Sequence, residues 1–453
     1  MSRKKLFGTD GVRGLVGVDL TADLALSLGR AAAFELGAGT ERPTFVVGRD
    51  TRISGQMLEA ALSAGILSAG GEVEVAGVIP TPGVAFLVLE MAAAAGAVIS
   101  ASHNPSQDNG IKFFGPDGSK LSDEIEERIE QSVTSGPPGP NRGRLGKLRT
   151  LEDAGSRYVQ HALEALEGRR LEGLKIVLDC AHGAAFLTSP EAFRRAGADV
   201  MVMNAQPNGV NINEGCGSTY PEVVAAEVLR SGADLGLALD GDADRVIAVD
   251  EAGEVVDGDC MIAALAIELK EQKRLPHDLV VSTVMANLGF RLAMASNGIE
   301  LVETPVGDRY VLEAMRARGA GIGGEQSGHI ILSEFSTTGD GLLTGLRLAA
   351  RMVSSGQKLS ALASVVEKFP QVLLNVRIAE PGRLRLSPRI ESEVQNERGR
   401  LGDAGRVLVR ASGTEPLVRV MVEAKEHRDA TETAGRLARL IAEELGEDRV
   451  AEY

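Results

Sequence analysis

The chain has 453 residues, which is too long for one ordinary domain and enough for three or four. Its 44% hydrophobic and 25% charged residues exclude a disordered or fibrous protein. With 63 acidic against 48 basic side chains, the net charge of −15 argues against a nucleic-acid or anionic-membrane partner held by bulk electrostatics. Local arginines and lysines could still bind an anionic substrate.

The cysteines and the N-terminus indicate the compartment. Cys180, Cys216 and Cys260 are far apart and lack CxxC spacing, so we expect neither a disulfide framework nor a zinc site. The basic N-terminus is not followed by the apolar segment of a signal peptide. The longest apolar stretch, around residues 91–101, is too short to cross a bilayer. We therefore expect a soluble, cytoplasmic protein with no membrane partner.

A strand–helix–strand pattern occurs three times along the first three quarters of the chain. Short apolar runs that alternate with amphipathic helices are typical of α/β units. The three copies are a strand at 44–50, a helix at 54–68 and a strand at 72–75; then 175–179, 189–195 and 199–203; then 279–283, a helix ending near 296, and 299–303. Three such units predict three similar mixed α/β domains rather than one large sheet.

Linkers and a different final pattern suggest the domain limits. The Pro- and Gly-rich stretch 136–144 predicts a linker, and further breaks fall near 251–253 and 357–370. The last segment contains strands at 371–378, 406–410 and 417–423 and a helix at 429–445, which predicts a smaller α+β domain. We expect four domains, over residues 1–145, 146–252, 253–368 and 369–453.

The first candidate site is the polar segment SASHNPSQDNGIKFF at 100–114, which follows an apolar strand. It carries the hydroxyl of Ser102, the neighbouring His103 and, ten residues on, Lys112. Loops at strand ends are where α/β domains place reactive groups. Ser, Asn and Pro are also ordinary turn formers, so this segment alone leaves both interpretations open.

The second candidate site is DGDADR at 240–245, between two apolar strands. In an extended strand Asp240, Asp242 and Asp244 would spread over roughly 13 Å, whereas a tight loop would gather their carboxylates around one point. A hard divalent cation would neutralise them, and oxygen ligands favour Mg²⁺ over Zn²⁺. An acidic hairpin turn is the alternative.

Three further segments are rich in donors and small residues. The loop GGEQSGH at 323–329 offers Glu325, Ser327 and His329 to sugar hydroxyls or phosphate, although His329 could equally be structural. The segment RASGTEP predicts a phosphate-binding turn, or else a plain hairpin, with candidate ligands Arg410, Ser412, Gly413, Thr414 and Arg419. The N-terminal FGTDGVRG supplies Arg13 to any phosphate that it faces.

Together the motifs FGTDGVRG, SASHNP, DGDADR, GEQSGH and RASGTEP, in this order from about residue 7 to 423, resemble the phosphohexomutase superfamily. The resemblance implies four domains, a phosphoserine at Ser102, and Mg²⁺ held by that phosphate with the three aspartates. It also implies help in proton transfer and charge stabilisation from Arg13, Lys112 and His329. Sugar and phosphate contacts are expected from His103, Arg245, Glu325, Ser327, Arg410, Ser412, Gly413, Thr414 and Arg419.

The segment GVNIN at 209–213, with CGST at 216–219, resembles the bacterial branch of this superfamily that acts on glucosamine phosphates. Ser100 stands where Thr is usual, which keeps a hydroxyl. The implied activity is interconversion of glucosamine 6-phosphate and glucosamine 1-phosphate through glucosamine 1,6-bisphosphate, feeding UDP-N-acetylglucosamine and cell-wall precursor synthesis. A homodimer is also implied. The alternatives are a phosphomannomutase or phosphoglucomutase, a non-catalytic phosphosugar sensor, and a Mg²⁺ phosphatase.

Overall fold

The computed structural model describes residues 6–8, 10–136, 145–378, 387–411 and 417–452. The chain divides into two compact units. The larger unit contains the described residues up to Met285 together with Asn297–Val365, and the smaller unit contains Ala286–Ser296 and the described residues from Val366 onward. The larger unit holds three β-sheets and the smaller unit holds one.

The first sheet has six strands in the order β1-β5-β4-β2-β3-β6. Its helix α1 begins where the hydroxyl of Thr21 accepts a hydrogen bond from the N–H of Leu24, at 3.2 Å. The elements are β1 (Val12–Leu15), α1 (Ala22–Leu36), β2 (Thr44–Arg49), α2 (Ser54–Ser68), β3 (Glu72–Val78), α3 (Thr81–Glu90), β4 (Ala95–Ile99), β5 (Asp108–Phe114), α4 (Asp123–Thr134) and β6 (Leu148–Thr150).

The second sheet has five strands in the order β11-β10-β9-β7-β8. Strand β9 is apolar throughout and fully buried, as expected for a central strand covered on both faces. The elements are α5 (Ala154–Glu164), β7 (Lys175–Asp179), α6 (Thr188–Ala196), β8 (Asp199–Met203), α7 (Pro221–Ser231), β9 (Leu235–Leu239), β10 (Val246–Asp250) and β11 (Val255–Val256).

The third sheet has four strands in the order β13-β12-β14-β15. The helix between its first two strands, α9, belongs to the smaller unit, so the chain enters that unit once before its C-terminal part. The elements are α8 (Gly258–Glu271), β12 (Leu279–Thr283), α9 (Leu288–Ser296), β13 (Glu300–Thr304), α10 (Asp308–Arg318), β14 (Ile322–Gly324), β15 (Ile330–Leu332), α11 (Gly341–Ser355) and α12 (Leu359–Ala363).

The three sheets share one four-stranded arrangement. In each, three parallel strands are followed by an antiparallel fourth: β3-β2-β4-β5, β8-β7-β9-β10 and β13-β12-β14-β15. The prediction of three similar mixed α/β domains is therefore confirmed. In each copy, the loop that joins the third strand to the fourth carries one of the polar motifs found in the sequence.

The smaller unit is a four-stranded antiparallel sheet in the order β17-β18-β16-β19, packed on helices. The apolar stripe of α14, which includes Leu437 and Ile441, covers this sheet. Its remaining elements are β16 (Gln371–Ile378), α13 (Pro388–Leu401), β17 (Gly405–Ala411), β18 (Leu417–Ala424), α14 (His427–Leu445) and β19 (Gly446–Glu452). This confirms a smaller C-terminal α+β domain; α13 and β19 are additions to the predicted elements.

The domain limits drawn from the sequence stay predictions. Two strands that lie beyond those limits hydrogen bond to the preceding sheet: β6 pairs with β3, and β11 pairs with β10. These pairs extend the first sheet to Thr150 and the second to Val256, past the predicted limits at 145 and 252. Such short strands carry little pattern of their own and are specified by the neighbouring strand.

Candidate active site

Ser102 lies at the centre of the loop between β4 and β5. Its side chain is 1% exposed, and its backbone has φ of +51°, in the left-handed region that non-glycine residues seldom occupy. The hydroxyl donates a hydrogen bond to Oδ2 of Asp240 at 2.6 Å and lies 3.3 Å from Nδ1 of His103. The structure thus places the predicted nucleophile directly on the first of the three aspartates.

The loop between β9 and β10 gathers the carboxylates of Asp240, Asp242 and Asp244. A tight turn at Ala243, with φ of +56°, brings one oxygen of each to within 4.8 Å of the others. All three are buried, and burial together with the charges of Asp244 and Asp242 raises the pKa of Asp240 well above its usual value. Oδ1 of Asp242 and Oδ1 of Asp244 are buried and accept no hydrogen bond.

This donor set fits a hard divalent cation. The three buried carboxylates, two of which have an oxygen that accepts no hydrogen bond, are oxygen-only ligands, which suit Mg²⁺ and do not suit a soft metal. Burying three like charges together is costly unless a cation compensates them. The spacing of the three aspartates predicted that a tight loop would gather their side chains, and the structure has such a loop.

Lys112 on β5 supplies one compensating charge. Its ammonium lies 2.7 Å from Oδ2 of Asp242, 3.4 Å from Oδ2 of Asp244 and 3.6 Å from Oδ2 of Asp10. Burial lowers the pKa of Lys112, but these carboxylates outweigh burial and raise it above the usual value. For Asp242 burial acts in the opposite direction and would raise the pKa. The charge of Lys112 and a hydrogen bond from Thr81 outweigh burial and lower the pKa of Asp242 below its usual value.

Arg245 and His103 lie next to each other, and Arg245 also lies beside the aspartates. Nη1 of Arg245 is 3.4 Å from Nδ1 of His103, and its Nε is 3.9 Å from Oδ1 of Asp244. Burial disfavours the charged guanidinium, but Asp244, Asp240 and Glu325 raise the pKa of Arg245. Burial and the charge of Arg245 lower the pKa of His103, which favours a neutral imidazole beside Ser102.

The third loop, between β14 and β15, carries Glu325, Ser327 and His329. Oε1 of Glu325 accepts a hydrogen bond from the N–H of Gly307 at 3.2 Å, and Ser327 is exposed. His329 is 2% exposed; its Nε2 accepts from the N–H of Gly339 at 3.2 Å, and its Nδ1 has no hydrogen-bond partner.

The sequence analysis did not identify three charged residues at this site, Asp10, Lys120 and Asp308. Asp10 contacts Arg13, Lys112 and Lys120, and Lys120 also contacts Asp308, whose Oδ2 is 3.6 Å from Nε2 of His329. Burial would raise the pKa of Asp10, but the charges of Lys112, Lys120 and Arg13 hold it well below its usual value. Asp10 lies inside the FGTDGVRG motif and could have been noticed; no pattern marks Lys120 or Asp308.

In the smaller unit, Arg410 and Arg419 lie directly opposite each other on β17 and β18. Burial and the charge of Arg419 lower the pKa of Arg410. Like charges in register repel one another, and an anion between them would relieve that repulsion. The predicted ligands Ser412, Gly413 and Thr414 lie outside the described residues, as does Thr9 of the N-terminal motif.

Models of the phosphoglucomutase/phosphomannomutase family match all four parts of the chain. The α/β/α domains I, II and III match residues 4–138, 156–253 and 257–369, and the C-terminal domain matches 373–440. The chain belongs to this family.

Two relatives within this family align with nearly the whole chain. The phosphoglucosamine mutase of Streptomyces griseus is 53% identical over 98% of this chain and 100% of that protein. The phosphoglucosamine mutase of Acidothermus cellulolyticus is 54% identical over 98% of this chain and 97% of that protein. Both alignments run nearly end to end.

Solved structures share the fold. A phosphoglucomutase/phosphomannomutase family protein from Burkholderia thailandensis superposes with a TM-score of 0.82 at 23% identity, over 97% of both chains. Aspergillus fumigatus N-acetylphosphoglucosamine mutase, solved with GlcNAc-6P and magnesium, has a TM-score of 0.70 at 19% identity, over 97% of this chain and 95% of that one.

Within the described part of this chain, no helix is long and apolar enough to cross a membrane.

Proposed function

We propose that this protein interconverts glucosamine 6-phosphate and glucosamine 1-phosphate, with Ser102 as the phosphoryl carrier. The observation that carries the proposal is the 2.6 Å hydrogen bond between Oγ of Ser102 and Asp240, inside a buried carboxylate cluster that faces Lys112. A turn residue or a sensor loop has no need of a hydroxyl held against three buried aspartates. The full-length relatives named as phosphoglucosamine mutases support the choice of sugar.

Asp240, Asp242 and Asp244 would hold Mg²⁺ together with the phosphate on Ser102. When bound, the cation would neutralise charge on the phosphoryl oxygens during transfer. The remaining charge stabilisation would come from this chain's own cations beside the aspartates, the buried Lys112 and the partly buried Arg245, which both keep their protons.

The reaction has two transfers of opposite direction. In the first, the bond between phosphorus and Oγ of Ser102 breaks as O1 of glucosamine 6-phosphate bonds to phosphorus, and the O1 proton passes to the protein. In the second, the bond between phosphorus and O6 of glucosamine 1,6-bisphosphate breaks as Oγ of Ser102 bonds to that phosphorus. Oγ then gives up the proton that it took when the first transfer released it, and O6 gains a proton. Atoms and charge balance over the cycle, which returns phosphorylated Ser102 and releases glucosamine 1-phosphate. The bisphosphate must present each end to Ser102 in turn.

Other residues of the site orient the sugar and its second phosphate. Glu325 and Ser327 would accept and donate hydrogen bonds with sugar hydroxyls. Arg13, Lys112 and His329 would share the proton transfers and charge stabilisation, while His103 and Arg245 border the reacting phosphate. The non-reacting phosphate would be bound by Arg410, Ser412, Gly413, Thr414 and Arg419.

Intact-protein mass tests the carrier. After exposure to a hexose 1,6-bisphosphate, the protein should gain one phosphoryl group, Ser102→Ala should gain none, and Ser106→Ala, in the same loop, should behave as the wild type. An unmodified Ser102 alongside full mutase activity would end the proposal. Release of inorganic phosphate instead of an isomer would indicate a phosphatase, and neither product would indicate a sensor.

Activity on three hexose phosphates tests the sugar. Glucosamine 6-phosphate should have the highest kcat/KM when it is assayed beside mannose 6-phosphate and glucose 6-phosphate. If it is the poorest of the three, the chain is a phosphomannomutase or phosphoglucomutase with the same machinery.

We also propose that the enzyme is cytoplasmic and forms a homodimer. Its three cysteines are free thiols, which fits a reducing compartment. Cell fractionation would test the compartment, and light scattering would test the oligomeric state.

A further inference from the structure

Two buried side chains outside the proposed reaction site converge on one backbone atom of the phosphoserine loop, defined as residues 100–108. Arg52, which is fully buried, donates from Nη2 to the carbonyl oxygen of Ser102 at 3.0 Å. Asn213, 8% exposed, donates from Nδ2 to the same oxygen at 2.8 Å. Within the described part of the chain, neither Arg52 nor Asn213 hydrogen bonds to Asp240, Asp242 or Asp244.

Arg52 binds the loop at several points. Its guanidinium also donates to the carbonyl oxygens of Asn104 at 2.9 Å and Asp108 at 3.0 Å, and it contacts that of Pro105. A planar guanidinium with five donors can satisfy several carbonyls at once, whereas a lysine ammonium cannot reproduce that geometry.

Asp50 helps to fix the backbone of Ser102 through hydrogen bonds to Arg52 and Ser100. Its Oδ2 accepts from Nε of Arg52 at 2.8 Å and from the hydroxyl of Ser100 at 2.6 Å. That hydroxyl in turn accepts from the N–H of Ser102 at 2.9 Å. Both polar groups of the Ser102 backbone are therefore fixed, which is what a left-handed, strained residue needs in order to persist.

Asn213 approaches the loop from the second α/β domain. It lies in the GVNIN segment, and its side chain also donates to the carbonyl oxygen of Asn104 at 3.1 Å. The same segment accepts from the N–H of Ile53 through the carbonyl of Gly209 at 2.9 Å. At Gly241 a Cβ would lie 2.5 Å from the carbonyl oxygen of Ser102 and 2.9 Å from Nδ2 of Asn213, so the metal loop packs directly on this contact.

We propose that Arg52 and Asn213 are positioning residues that hold Ser102 in its left-handed conformation, so that its Oγ, or the phosphate on it, meets the aspartates. On this proposal Asn213 acts on the enzyme's own loop and not on the sugar. The proposal rests on the proposed function of Ser102 as the carrier.

Asn213→Ala and Arg52→Lys test this role. Each should lower kcat on the order of tenfold or more, as expected for lost hydrogen bonds to a buried carbonyl, with little change in KM. Each should also shorten the half-life of phosphorylated Ser102, followed by intact mass. Asn208→Ala is the matched control, because its side chain is exposed and, among the described residues, accepts a hydrogen bond from the N–H of Val210 in its own turn. It should keep the wild-type kcat, KM and half-life.

Hydrogen–deuterium exchange of the peptide spanning 100–108 gives a readout that does not depend on turnover. Exchange should be faster in both variants than in the wild type, while peptides of the distant strand β12 should be unchanged. A raised KM at unchanged kcat in Asn213→Ala would overturn the proposal, since it would place that residue on the sugar. Unchanged loop exchange and unchanged phosphoserine half-life would overturn it as well. A wild-type protein that never takes up phosphate would instead refute the proposed function.

Discussion

The ammonium of Lys112 lies 2.7 Å from Oδ2 of Asp242, so a buried lysine already pairs with one of the three carboxylates proposed to hold a cation. The lysine is 2% exposed and its partner 1%. On the proposed function, two kinds of positive charge, the ammonium of Lys112 and a bound Mg²⁺, would therefore compensate the same acidic cluster.

Replacing this lysine should increase the dependence of stability on Mg²⁺. Lys112→Met leaves the buried carboxylates without their partner, which should destabilise the metal-free protein by about 3–5 kcal/mol. Added Mg²⁺ should then raise the unfolding midpoint by more in the variant than in the wild type, while kcat falls on the order of a hundredfold. The exposed Lys358→Met is the control. Equal Mg²⁺-induced shifts would contradict a shared role in compensation.

The contact between Lys120 and Asp308 should be strongly coupled. Both side chains are largely buried, at 9% and 16% exposure, so removing one partner leaves a poorly solvated charge. A double-mutant cycle with Lys120→Met and Asp308→Asn should give a coupling energy of about 1–3 kcal/mol in urea unfolding. The half-exposed pair Glu191–Arg195 should give less than about 0.5 kcal/mol in the same cycle. Similar values for the two pairs would show that burial does not strengthen the first.

Asp340 should make stability fall as the pH rises. It caps α11 by accepting from the N–H of Leu343 and from the hydroxyl of Tyr158, both at 2.9 Å, and burial raises its pKa from 3.8 to about 6. Between those two values the folded protein binds more protons than the unfolded chain, so the contribution of Asp340 is lost as the pH rises through about 6.

Asp340→Asn removes this titration and keeps the cap acceptor. The unfolding free energy of the variant relative to the wild type should therefore increase between about pH 4 and 7, at about 1.4 kcal/mol per unit of pKa shift. Urea unfolding across this range measures the difference, and the exposed Asp403→Asn serves as the control. A difference that stays constant with pH would refute the prediction.

Arg410 should act on substrate binding and not on stability. Its cross-strand partner is another arginine, so Arg410→Gln removes a repulsion and should leave the unfolding midpoint unchanged or slightly higher. If the pair binds the non-reacting phosphate, KM should rise on the order of tenfold through loss of a charge-assisted contact. Arg377→Gln, an exposed arginine on the neighbouring strand β16, should leave KM unchanged. An unchanged KM in Arg410→Gln would remove it from the phosphate site.

The sequence by itself determined the repeat and the chemistry of the loops. Strands such as β2, β7 and β12 are apolar runs whose buried faces are visible as local patterns, and β16 has the bounds that were predicted. The aspartates of DGDADR are two residues apart, so a single tight turn is enough to gather them. Because the residues that form these strands and this turn are close together in the sequence, both can be predicted without a structure.

Only the tertiary structure decided which distant residues meet at those loops. Lys120 and Asp308 are 188 residues apart, and Asn213 lies 111 residues from the carbonyl of Ser102 that it holds. Arg52 resembles any arginine that follows a strand, yet it is fully buried under the phosphoserine loop. Its role arises from burial, where each carbonyl must find a donor, and burial depends on how the whole chain packs. No local pattern encodes that dependence.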